Sequence, residues 1–182
     1  KEPKNNYTVG ILDDVFHSSL PVKEEINILP DSMVSCKIWG LGSDGTVGAN
    51  KNSTKIIGET TDLYAQTYFV YDSKKSGGLT QSHLRFGKDP IRAPYLVADA
   101  DLVAVHNPSY VNKYELVKDL KPGGIFLLNV AGGIDDLNTE LPASMKRNLA
   151  QKKAQLYIID AVSIARELGL GGRTNTILQA AF

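Results

Sequence analysis

The segment Val34–Gly48 reads VSCKIWGLGSDGTVG and decides the fold of this chain. Its mostly apolar first part predicts a strand over Val34–Trp39. Glycines at positions 40, 42 and 45 then predict a tight turn, and a helical pattern over Thr46–Gly58 follows at once. Strand, glycine-rich turn and helix in this order are typical of the first unit of an α/β sheet.

Working outward, strand and helix patterns alternate along the chain. Further strands are predicted over Tyr64–Tyr71, Ser82–Phe86, Leu96–Val97, Leu102–His106, Ile125–Asn129 and Leu156–Ile159. Further helices are predicted over Ser109–Leu120, Met145–Lys153, Ala161–Leu168 and Thr174–Phe182. Because several strands lack polar alternation, the pattern predicts a mostly parallel sheet covered by helices on both faces, an α/β fold of three layers.

Composition limits the function classes. A chain of 182 residues suits one domain, and 20 basic residues balance 20 acidic ones, so nothing favours a nucleic-acid or membrane partner. The single cysteine, Cys36, excludes an internal disulfide and a cysteine cluster within the chain, and its apolar surroundings predict a buried thiol. No apolar run approaches the ~18 residues of a membrane helix. These features favour a cytoplasmic setting.

The ends differ from the middle in character. Residues 1–6 are polar, residues 7–12 predict a short extended segment, and residues 13–30 are irregular, with prolines at 21 and 30. This pattern predicts a lead-in segment over residues 1–33 before a domain over residues 34–182. The chain begins at Lys1 rather than methionine, and it stops within an apolar helical pattern. We expect a piece of a larger protein.

The glycine-rich turn is the leading candidate site. Glycines permit a tight turn and a close backbone approach, and the amides at a helix N-terminus favour a phosphate group. The spacing G-x-G-x-x-G is a weak signal alone, but here it lies between a strand and a helix. The alternative is a tight turn that binds nothing.

A second turn, Asp72–Gly78, follows the next strand, and we expect it at the same edge of the sheet. Asp72 has the residue type that binds a ribose hydroxyl in dinucleotide domains. The neighbouring Lys74 and Lys75 favour a phosphate on or near the ribose instead. A solvated basic turn is the other interpretation of this spacing.

Polar residues after later strands are weaker candidates. They comprise His106-Asn107-Pro108, Asn129 and Gly171–Asn175. The three histidines lack metal-ligand spacing, and the sequence offers neither a nucleophile–base pair nor paired carboxylates. We therefore expect a binding domain without catalytic or metal-ligating residues of its own.

Three stretches resemble one known family. They are Gly40–Lys51, Tyr71–Gly78 and Ser82–Gly87 (SHLRFG), and His106–Pro108 and Gly169–Arg173 extend the match over nearly the whole chain. They are similar to the third domain of pyruvate:ferredoxin (flavodoxin) oxidoreductases, which forms a separate gamma subunit in multi-subunit 2-oxoacid oxidoreductases. The resemblance implies a Rossmann-like α/β/α sandwich that binds coenzyme A.

The resemblance also implies the site and the larger enzyme. By motif position, the coenzyme A pocket would be formed by Gly42, Ser43, Asp44, Gly45, Thr46, Lys74 and Asn175, with Lys74 on a phosphate. The complete enzyme would be a homodimer that decarboxylates pyruvate on thiamine diphosphate and passes electrons through 4Fe–4S clusters to ferredoxin or flavodoxin. Those cofactors would belong to other domains, so this domain alone would be inactive.

Two other functions stay open at this point. A nicotinamide- or flavin-binding dehydrogenase domain predicts an acidic ribose ligand without neighbouring lysines, which fits Asp72–Lys75 poorly. A non-catalytic interaction module, of the kind found in some fungal sulfite reductase flavoprotein subunits, predicts a degenerate glycine loop. The intact Lys74 and Gly42–Thr46 loop argue against it.

Overall fold

The computed structural model describes residues 5–13, 15–23, 27–73 and 77–182, which contain one six-stranded sheet and its covering helices. The strands are β1 (Val34–Leu41), β2 (Tyr64–Tyr71), β3 (Leu79–Gly87), β4 (Ala100–Val105), β5 (Leu120–Asn129) and β6 (Gln155–Ile159). The helices are α1 (Thr46–Thr60), α2 (Leu137–Glu140), α3 (Ala143–Gln151), α4 (Ala161–Glu167) and α5 (Asn175–Ala181). The predicted α/β class is confirmed.

The strand order is β2-β3-β1-β4-β5-β6. Strands β1, β4, β5 and β6 pair in parallel, whereas β3 is antiparallel to both β1 and β2. Only β3 therefore runs against the common direction, and the predicted mostly parallel sheet is confirmed. A doubly wound sheet would have placed β2 beside β1, but the hairpin β2–β3 inserts β3 between them.

Alternation along the strands gives the sheet two buried faces. One face carries Trp39, Val103 and Phe126 and packs under Val97, residues 110–117, α2 and α3. The other carries Cys36, Ile38, Leu84, Ala104 and Leu127 and packs with Phe182 at the end of α5. Phe182 meets Phe86 of β3 edge to face, with ring centroids 6.4 Å apart. The predicted three layers follow from these two cores.

Cys36 behaves as its apolar surroundings predict. Its side chain is buried, and burial raises the pKa of the thiol to about 12. A thiol in this state is a small core residue rather than a nucleophile.

The helix predicted over Ser109–Leu120 is wrong. A short 3₁₀ turn, Pro108–Asn112, is followed by further tight turns that lead into β5 at Leu120. The buried residues of this segment have a spacing close to that of one face of a helix, which explains the wrong prediction. They are Tyr110, Leu116, Val117 and Leu120. They pack against the sheet as a loop, and Pro122-Gly123-Gly124 lies at a register shift in β5.

The strand predicted over Leu96–Val97 is also wrong. This segment is irregular, and the Val97 amide donates to Nδ1 of His83 rather than to a strand. In the described part of residues 5–33, backbone pairing is limited to an isolated bridge between Val9 and Leu20. No helix among the described residues is both long and apolar enough to cross a membrane.

Candidate functional site

The site lies at the carboxyl ends of β1 and β4. The chain leaves β1 through α1 towards one side of the sheet and leaves β4 through residues 106–119 towards the other. Such a topological switch point opens a crevice outside the strand ends, where α/β sheets bind ligands. The glycine-rich turn and His106 both lie here.

The turn after β1 is held by Asp44. One carboxylate oxygen accepts a hydrogen bond from the Leu41 amide (2.8 Å) and the other from the Thr46 amide (2.7 Å). These two hydrogen bonds fix the backbone between the end of β1 and the first residue of α1. Asp44 therefore shapes the loop that it was predicted to line.

The geometry requires a glycine at position 45, and position 42 is closely packed, since a Cβ there would lie 3.3 Å from the Gly78 carbonyl oxygen. Gly45 caps α1 with φ of 85°, and a Cβ there would lie 2.8 Å from Cγ of Asn175. At Gly42 the hairpin backbone approaches so closely that the Gly42 amide donates to the Gly78 carbonyl at 2.7 Å. The loop thus contacts both the hairpin after β2 and the start of α5.

The loop leaves several amides available. The amides of Ser43, Gly45, Val47 and Gly48 donate no hydrogen bond to any residue in the described ranges. They surround the N-terminus of α1, where the helix dipole favours an anion. A cavity of about 240 Å³ opens here, lined by the loop together with Tyr71 and Thr80.

Thr46 lies on the inner side of this loop. Its side chain is buried, and Oγ1 is 2.7 Å from Nδ1 of His106. Burial lowers the pKa of His106 to about 4, so the ring is neutral at pH 7. The Thr46 hydroxyl is therefore engaged in holding α1 to the end of β4.

A chain of hydrogen bonds continues across the sheet edge. The Asn129 side-chain amide donates to the His106 carbonyl at 2.8 Å, and its Oδ1 accepts from the Ala161 amide at 3.1 Å. The Tyr110 hydroxyl donates to the Gly40 carbonyl at 3.1 Å. These contacts join the ends of β1, β4, β5 and β6 into one rigid rim.

The structure brings together most of the predicted site. Gly42, Ser43, Asp44, Gly45 and Thr46 form the loop, and Asn175 packs against it. Lys74 lies outside the described residues, so its predicted phosphate contact stays a prediction. From the sequence, His106 was named only as a weaker candidate, and Tyr71 and Thr80 were given no role in the site. The position of His106 at a strand end was the available signal.

Comparisons with known proteins identify the family to which this chain is similar. Residues 35–182 match the family described as pyruvate ferredoxin/flavodoxin oxidoreductase. Over 180 residues the chain is 62% identical to pyruvate:ferredoxin oxidoreductase of Moorella thermoacetica, covering 99% of this chain and 15% of that protein. It is 56% identical to pyruvate-flavodoxin oxidoreductase of Enterobacter agglomerans, covering 100% of this chain and 16% of that protein.

Solved structures share the fold. Pyruvate oxidoreductase subunit PORC of Thermotoga maritima superposes with a TM-score of 0.65 at 18% identity, covering 82% of this chain and 74% of that one. A 2-oxoglutarate:ferredoxin oxidoreductase of Magnetococcus marinus, solved with 2-oxoglutarate, coenzyme A and succinyl-CoA bound, superposes with a TM-score of 0.62 at 15% identity, covering 82% of this chain and 23% of that one. The family match covers residues 35–182, and the fold is shared with both solved structures. The chain therefore belongs to the pyruvate ferredoxin/flavodoxin oxidoreductase family.

Proposed function

We propose that this chain is the coenzyme A-binding domain of an enzyme that oxidises pyruvate to acetyl-CoA. The observation that carries the proposal is the loop Gly42–Gly48, in which four amides without a hydrogen-bond partner among the described residues surround the N-terminus of α1 beside a cavity. Coenzyme A presents phosphate groups, which such an N-terminus binds through backbone donors. The Magnetococcus relative of the same fold was solved with coenzyme A bound.

Each residue of the loop has a distinct role in this proposal. Gly42 and Gly45 keep the backbone open to the ligand, and Ser43 is an exposed residue with φ of 77° at the tip. Asp44 and Thr46 hold the loop from within. Lys74 would add a positive charge for a phosphate, and the Asn175 amide would add a polar contact.

The remaining chemistry belongs to the rest of such an enzyme. The chain spans about 15% of the length of its curated relatives. Thiamine diphosphate would supply the decarboxylation chemistry there. The lone, buried Cys36 provides no ligand set for a 4Fe–4S cluster within this chain. Ferredoxin or flavodoxin is the proposed electron acceptor, in keeping with the names of the two relatives, and we propose a cytoplasmic homodimer.

A calorimetric titration with coenzyme A, NAD and NADP tests the proposal. We expect an oxidoreductase that carries this chain to bind coenzyme A and neither nicotinamide at this site. Lys74→Ala should weaken binding by about tenfold, the size of one charge-assisted phosphate contact. Lys55→Ala is the matched control, because Lys55 lies on α1 in an exposed pair with Glu59. Nicotinamide binding that depends on Asp72 would contradict the proposal.

A further inference from the structure

Arg85 is a buried arginine that the proposed coenzyme A site does not use. It lies on β3 within the SHLRFG segment, and Arg85 as a whole is only 4% exposed to solvent. Its Nη1 donates to the Tyr95 carbonyl (2.7 Å), the Ala93 carbonyl (3.5 Å) and the Gln66 side chain (3.2 Å). Its Nε is buried and has no hydrogen-bond partner among the residues that the structure describes. All three acceptors are neutral.

The charge of Arg85 lacks a carboxylate partner in the described part of the chain. Lys37, which is buried nearby, has one in Asp119 at 2.5 Å. The cationic Lys37 and Arg85 both lower the pKa of His83, whereas the Asp119 carboxylate, which pairs with Lys37, raises it. A guanidinium stays protonated under almost all conditions, and a buried charge is costly unless an anion pairs with it.

Arg85 lines an open cavity. The cavity measures about 440 Å³ and lies between β2 and the segment after Pro94, with Tyr68, Tyr95 and Leu96 at its walls. Tyr68 is 62% exposed and Tyr95 is 43% exposed. Strand β2 is an edge of the sheet. Tyrosine and arginine are enriched at interface hot spots, so a buried arginine with tyrosines around it is typical of a protein–protein contact.

We propose that this cavity receives an aspartate or glutamate side chain from the part of the oxidoreductase that lies outside this chain. The planar guanidinium fork matches a carboxylate in shape and charge. Because the chain spans only 15–16% of its relatives, most of such an enzyme is available to cover the surface. The proposal rests on membership of the family and not on coenzyme A binding.

Photocrosslinking in the complete oxidoreductase polypeptide tests the contact. Tyr95 is replaced by p-benzoyl-phenylalanine, and crosslinked peptides are identified by mass spectrometry. We expect a crosslink to a peptide outside this chain that contains an acidic residue. Arg85→Met should lower its yield by about tenfold, as for an interface hot spot. Tyr157, 52% exposed on the opposite edge strand β6, is the control position, and its crosslinks should be unchanged by Arg85→Met.

A second variant, Gln66→Glu, tests the same contact in case Arg85→Met does not fold. Gln66→Glu is nearly isosteric and places a carboxylate where Oε1 already accepts from Arg85 Nη1. It supplies the missing anion from within the chain, so we expect the same fall in crosslinking in a folded protein. Replacing the crosslinked acidic residue by its amide should also lower the yield.

Three results would overturn the proposal. They are crosslinks confined to this chain or a second copy of it, a crosslinked peptide without an acidic residue, and a yield unchanged in both Gln66→Glu and Arg85→Met. Coenzyme A titration of the same variants separates this proposal from the previous one, since Arg85 does not line the cavity beside the glycine loop.

Discussion

The Thr46 hydroxyl lies 2.7 Å from Nδ1 of His106, and both groups are buried. This hydrogen bond ties the first residue of α1 to the end of β4, across the crevice where the strand order reverses. Since Asp44 holds the same helix start from the other side, the loop between them is fixed before any ligand arrives. Fixing a loop in advance removes the entropic cost of ordering it on binding.

Thr46→Val should therefore destabilise the domain. The substitution keeps the shape but leaves the buried Nδ1 of His106 without its partner, which costs about 1–3 kcal/mol. Chemical denaturation of the two proteins measures the difference. Thr60→Val is the control, because Thr60 is exposed at the end of the same helix and should change the free energy of unfolding little.

Gly45→Ala should lower both stability and coenzyme A affinity. The φ of 85° costs an alanine about 1–2 kcal/mol, and the new Cβ would displace Asn175 from the loop. Gly58→Ala is the matched control within α1, since a Cβ there meets nothing within 4 Å and the helix gains up to about 1 kcal/mol. Equal effects of the two substitutions would contradict the role given to Gly45.

The two buried histidines predict how stability depends on pH. Burial lowers the pKa of both His83 and His106 from 6.5 to about 4, so the unfolded chain binds more protons between these values. Their contribution to stability is present above pH 6.5 and is lost as the pH falls towards 4. Between pH 6.5 and 5 we expect a loss of about 2 kcal/mol per histidine.

Urea denaturation at several pH values checks this dependence. His83→Gln should give a shallower slope between pH 6.5 and 5, because one of the two titrating groups is gone. His17→Asn is the control, since His17 is exposed and its positive φ of 50° suits asparagine. A slope that stays the same in His83→Gln would show that this ring does not titrate on unfolding.

The Lys37–Asp119 ion pair should matter far more than the exposed Lys55–Glu59 pair. Lys37→Met leaves the partly buried Asp119 carboxylate without its partner, and losing a partly buried charged hydrogen bond costs about 2–3 kcal/mol. Lys55→Met breaks a pair in solvent and should cost less than about 0.5 kcal/mol. Thermal unfolding of both variants at one pH measures the contrast.

Local patterns in the sequence were enough to predict the first unit of the fold. The apolar run before Gly40, the glycine spacing and the helical pattern after Thr46 all act over a few residues, and the structure follows them. The place of Asn175 in the same site as this loop was predicted only through the family resemblance, because α5 is remote from the loop in sequence.

The sequence-based prediction of secondary structure and strand order was wrong where tertiary packing decides the conformation. The buried residues of 110–120 have nearly helical spacing, yet they lie in turns pinned by the Tyr110 hydroxyl on Gly40. The insertion of β3 between β1 and β2 depends on a hairpin whose pairing partners no local pattern specifies. For the same reason the contact between Thr46 and His106, 60 residues apart, could not be predicted from spacing.

Hydrogen exchange of the complete oxidoreductase, with and without coenzyme A, tests the central claim most directly. We predict that coenzyme A slows exchange at the amides of Ser43, Gly45, Val47 and Gly48, and that NAD does not. Protection confined to peptides outside residues 41–49, or the same protection of this loop by NAD, would contradict the assignment of a coenzyme A site to the glycine loop.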